Sequence, residues 1–75
     1  MTMQAWIEET LARALPGAVV HVTDTTGGGD HFEVDVAASQ FAGLGMLEQH
    51  RLVYAALGDK VGYEIHALGL RTRVA

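Results

Sequence analysis

Four histidines, His21, His31, His50 and His66, carry most of the chemistry open to this 75-residue chain. Imidazole both exchanges protons near neutral pH and ligates transition metals through nitrogen. Their spacing is not that of a ready-made site. There is no His-x-x-x-His or His-Glu-x-x-His pair and no cysteine, so a preformed mononuclear metal centre is not expected. The lack of thiols also excludes disulfide staples, a zinc–thiolate site and a self-contained cysteine-ligated iron–sulfur cluster. The run Gly27-Gly28-Gly29-Asp30 does not continue into the Gly-Lys-Ser/Thr and helix that a phosphate loop requires. Ser39 is paired with no base, and capping a short turn is its expected role. These residues form no enzymatic constellation, and no small-molecule substrate is expected.

Composition narrows the classes further. Seventy-five residues make one small domain, 1–75, and an apolar share of 49% is enough for a core. No apolar run approaches membrane-spanning length, and "MTMQAWIEET" lacks the basic start and apolar middle of a signal peptide. A cytoplasmic domain without membrane attachment is the expectation. Nine acids against five bases give a net charge of −4, which argues against tight nonspecific binding to duplex DNA. Arg51, Lys60, Arg71 and Arg73 nevertheless crowd the last third of the chain, so a local basic strip for nucleic acid is a candidate surface.

The elements that must position these groups are legible from periodicity. Trp6, Ile7, Leu11, Ala14 and Leu15 space out one stripe of a helix over Thr2–Leu15, with Glu8 and Glu9 early in it and Pro16-Gly17 stopping it. Ala18–Asp24 reads as a strand. "TDTTGGGD" reads as a turn in which glycines allow positive φ and Asp and Thr side chains cap the bends. His31–Ala37 alternates, with Phe32, Val34 and Val36 on one face, and pairs antiparallel with the first strand as a hairpin. A short turn follows at Ser39–Ala42, then a helix over Met46–Leu57 that Gly58 ends, and a third strand over Glu64–Thr72 reached by a helical crossover. The expected fold is α+β: a two-layer α-β-β-α-α-β sandwich whose three-stranded mixed sheet is covered by helices on one face.

Within that frame His50 falls among Met46, Val53 and Leu57 on the long helix and is expected to be a buried, hydrogen-bonded structural residue. His66 shares strand parity with Leu68 and Leu70, which suggests packing. Its place at the strand's end lets one ring nitrogen reach solvent, so packing and function stay balanced. His31 and His21 are expected on the solvent face.

Several motifs together resemble the BolA family: Phe32 leading the second strand, Ser39-Gln40-Phe41-Ala42-Gly43, Gln49-His50-Arg51, and Ile65-His66-Ala67-Leu68. The resemblance runs over nearly the whole chain and implies a fold like the class II KH domain. It also implies a non-enzymatic role beside a monothiol glutaredoxin, in which a [2Fe–2S] cluster is shared between the glutaredoxin cysteine, glutathione and histidine from the BolA-like partner. The isolated chain would bind no cofactor. The family ligand corresponds to His66, and His31 is a secondary candidate. Imidazole in place of thiolate lowers the negative charge at a cluster and raises its potential, as in Rieske centres. Two positions depart from the family pattern: Gly28 stands where a loop cysteine is expected, and Gly69 replaces a polar residue before the last strand leucine. The alternative function is a nucleic-acid-binding transcriptional regulator of stress response or cell morphology. A KH module clamps backbone with a Gly-x-x-Gly loop, however, and Gly43-Leu44-Gly45 is one residue short.

Overall fold

In the computed structural model, which describes residues 1–75, Thr2 starts the first helix from outside it. Its hydroxyl accepts from the Ala5 backbone N–H at 3.1 Å, and α1 then runs Met3–Ala14. Ile7 and Leu11 are its buried residues and Leu15, its C-cap, is buried with them, whereas Ala14 is exposed and Glu8 and Glu9 lie beyond the first turn. Leu15 donates back to the Leu11 carbonyl and Gly17 turns with φ 83°, leading into β1, Val19–Asp24. After the glycine turn comes β2, His31–Ala37. A 3₁₀ turn over Ser39–Phe41, α2 over Met46–Leu57, a second 3₁₀ turn over Gly58–Lys60 and β3 over Ala67–Arg73 complete the chain.

The sheet order is β1-β2-β3, with β1 antiparallel and β3 parallel to the central β2. Phe32, Val34 and Val36 point from β2 into the helix layer, where they join Ile7, Leu11, Phe41, Val53, Leu57 and Ile65 in one core. Each such side chain contributes about 1.5–3 kcal/mol by leaving water. Glu33, His21 and Thr23 lie on the other, uncovered face. The α+β sandwich expected from periodicity is the fold observed, with the crossover through α2 setting β3 parallel.

Three details differ from expectation. Ser39 caps nothing: the residue before the turn is Ala38, and the turn is tied instead by the Gln40 side-chain amide donating to the Pro16 carbonyl at 2.9 Å. The buried line of α2 is Gln49, Val53 and Leu57, not one centred on Met46 and His50. Gln49 earns this place because its amide donates to the Leu44 carbonyl at 2.9 Å, satisfying the chain just before the helix begins, while Met46 and Leu47 stay exposed. Finally, β3 starts at Ala67 and not Glu64. Gly62 takes φ 98° and donates to the Ile65 carbonyl at 2.8 Å, so 61–65 closes into a bridged turn that buries Ile65 and leaves His66 outside the strand.

Candidate functional site

The glycine turn between β1 and β2 is a built structure organised by one carboxylate. Asp24 Oδ1 accepts from the backbone N–H groups of Thr26 (3.2 Å) and Gly27 (2.9 Å), and Oδ2 accepts from Gly29 (2.9 Å). Gly27 and Gly29 both need φ 77°, a region that L side chains rarely adopt. Thr25 closes the base of the turn, its N–H and hydroxyl both reaching the His31 carbonyl. The turn thereby delivers Asp30 to the head of β2.

Asp30 is the junction of the site. Its backbone carbonyl accepts from the N–H of His66 at 2.7 Å and of Ala67 at 3.3 Å, which starts the parallel pairing of β2 with β3. Its carboxylate lies 2.8 Å from His31 Nδ1 through Oδ1 and 3.8 Å from His66 Nδ1 through Oδ2. The hydrogen bond with His31 outweighs partial desolvation and holds the Asp30 carboxyl below its usual pKa. The register His31↔Ala67 sets the two imidazoles on neighbouring strand ends, ring centroids 6.1 Å apart and edge to face.

His66 is not packed under the helices. Its side chain is 61% exposed, so the packing alternative left open by strand parity does not hold. The parity argument fails because Ile65 takes the buried position and the strand alternation begins only after the Asp30 junction. His31, expected simply on the solvent face, is half-buried and hydrogen-bonded. His50 is half-buried, and its Nε2 is shielded while meeting no hydrogen-bonding group of the protein, unlike the satisfied core histidine expected from the wheel. His21 is exposed on the open sheet face, as expected. Asp30 escaped the sequence reading because its side chain looked like one more turn residue. The only available signal was its place directly before His31.

A BolA-like protein family model matches residues 9–75. The chain belongs to the BolA family. BolA-like protein 1 of Homo sapiens is 37% identical over 78 residues, covering 95% of this chain and 57% of that protein. The DNA-binding transcriptional regulator BolA of Escherichia coli (strain K12) is 30% identical over 79 residues, covering 96% of this chain and 75% of that one. The structure of BolA1 from Arabidopsis thaliana matches with a TM-score of 0.89 at 23% identity, covering 99% of this chain and 93% of that one, which speaks for the fold alone. The chain thus spans little more than half the length of its human relative, and such relatives are named as BolA-like proteins or regulators, not as enzymes.

For this BolA chain the donor set has a definite limit. No three His, Cys, Asp or Glu side chains converge so as to hold a metal ion. Two neighbouring imidazoles at an exposed rim suit a group whose remaining ligands come from elsewhere. They do not suit one enclosed by this chain. Of the basic residues, Arg71 and Arg73 share the exposed side of β3. Arg73 pairs with Asp35, Lys60 pairs with Glu64 at 2.6 Å and lies 5.0 Å from the Trp6 ring, and Arg51 is exposed on α2. Arg71 lines an open groove of about 310 Å³ on the bare sheet face together with Glu33, Asp35 and His21. No helix is long and apolar enough to cross a membrane.

Proposed function

We propose that this chain is a non-enzymatic adaptor that docks a monothiol glutaredoxin and supplies His66 as a nitrogen ligand to a shared [2Fe–2S] cluster, the other ligands being the glutaredoxin cysteine and glutathione. The observation that carries the reading is the exposure of His66 at the sheet rim, beside a second imidazole and without a third ligand. Neutral imidazole suits such a cluster, and it lowers the negative charge relative to an all-thiolate set. On this reading the isolated chain holds no cofactor and acts on no small molecule. Its own residues supply one or two ring nitrogens and a surface on which the partner sits.

A second reading, nucleic-acid binding as a transcriptional regulator, draws support from the name of the Escherichia coli relative. The net charge of −4 and the pairing of Arg73 and Lys60 with acids weigh against it. Pull-down of a purified monothiol glutaredoxin, set against a salt-titrated DNA mobility shift with the same preparation, separates the two. The adaptor reading expects capture of the glutaredoxin and no shift at physiological salt. A salt-resistant DNA shift without capture would reverse the choice.

A further inference from the structure

We infer that Asp30 is a positioning residue that fixes His31 as the second nitrogen donor beside His66: its carboxylate accepts the Nδ1 proton of His31, so that Nε2 of the same ring keeps a free lone pair. This rests on the proposed cluster-sharing role and names the missing ligand on this side of it.

The geometry requires little else. An aspartate ionised at neutral pH only accepts hydrogen bonds, so a ring nitrogen 2.8 Å from Oδ1 must carry the hydrogen. In a neutral imidazole the other nitrogen is then bare, which is the form that ligates. Metal-binding histidines are commonly held this way, with the second nitrogen donating to a carboxylate, and loss of such a partner costs about 10–100-fold in affinity. The Asp30–His31 contact is too exposed to matter much for stability, the side chains being 37% and 42% accessible respectively. Its consequence is therefore orientation. The same residue also sets the position of His66 through its backbone carbonyl, which holds the His66 and Ala67 N–H groups, so one turn residue places both imidazoles. Gly28, the loop position without a ligand, lies next to it: a Cβ there would stand 3.2 Å from Asp30 Oδ1. His31 therefore occupies the side of the site from which a loop ligand would come.

The test uses Asp30→Ala, which keeps the backbone carbonyl at the strand junction. In the free chain, long-range ¹H–¹⁵N spectra read the tautomer of His31: the wild type is expected as Nδ1–H, and the variant is expected to move towards Nε2–H. In the reconstituted complex with a monothiol glutaredoxin, Asp30→Ala should speed cluster loss to a chelator by about 10-fold or more, and should add nothing in a His31→Ala background. An unmoved His31 tautomer, or the same acceleration when His31 is already absent, overturns the inference while leaving His66 as a ligand. A wild-type complex that carries no cluster at all sinks the proposed function, and the ligand role of His31 with it.

Discussion

At the scale of single residues, Gly28 and His50 are the most informative positions. Gly28 has no positive φ, and the atoms its Cβ would meet are side-chain oxygens of Asp30 and Thr26 at 3.2 and 3.4 Å. Gly28→Cys should therefore fold with a small adjustment of those side chains and set a thiol beside the imidazoles. The expected outcome is a mixed cluster that survives chelator longer than the wild type; equal or faster loss would show that the loop does not face the cluster. His50 presents the opposite case. Its shielded Nε2 has no protein partner, so substitution orphans no acceptor, and an apolar replacement removes a buried polar atom worth about 1–3 kcal/mol when unsatisfied. His50→Leu should leave the urea midpoint unchanged or raise it by up to about 1 kcal/mol in stability at constant m. A loss of about 2 kcal/mol instead would mean that the ring makes an interaction the structure does not show.

At the scale of elements, the glycine turn depends on Asp24. Asp24→Ala removes the acceptor of three backbone N–H groups, and faster amide exchange at Gly27 and Gly29, with β1–β2 pairing intact, is the expected result. Unchanged exchange there would mean that the turn is held by other contacts. The existence of every strand was legible, because β1 is rich in β-branched residues and β2 alternates cleanly, and the antiparallel hairpin and the parallel β3 that a helical crossover allows are both found. Boundaries and side-chain aim were less so. Gln49 reads as polar, and only its bond to the Leu44 carbonyl explains why it, and not Met46 or His50, lies in the buried line. Likewise the turn at 61–65 that frees His66 depends on Gly62 φ and on a bridge between Val61 and Ile65, neither of which leaves a periodic trace. The pairing of His31 with His66 is a matter of register between strands 35 residues apart. No local pattern reports it.

At the scale of the whole molecule, an acidic chain whose few bases are partly paired should be a poor partner for nucleic acid. Any DNA binding should weaken steeply with salt and disappear on charge reversal at Arg71 and Arg73, measured by mobility shift across a salt series, whereas salt-insensitive sequence-specific binding would contradict this. At the rim of the sheet β2 and β3 begin together and His66 stands clear of the core. The most direct measurement is visible circular dichroism of the complex reconstituted with a monothiol glutaredoxin, comparing wild type with His66→Ala that is shown to be folded and docked. The expected result is that the wild-type spectrum is distinct from that of the glutaredoxin alone, and that His66→Ala shifts it towards the all-thiolate form. An unchanged spectrum in the folded, docked variant would contradict the assignment of His66 as a cluster ligand.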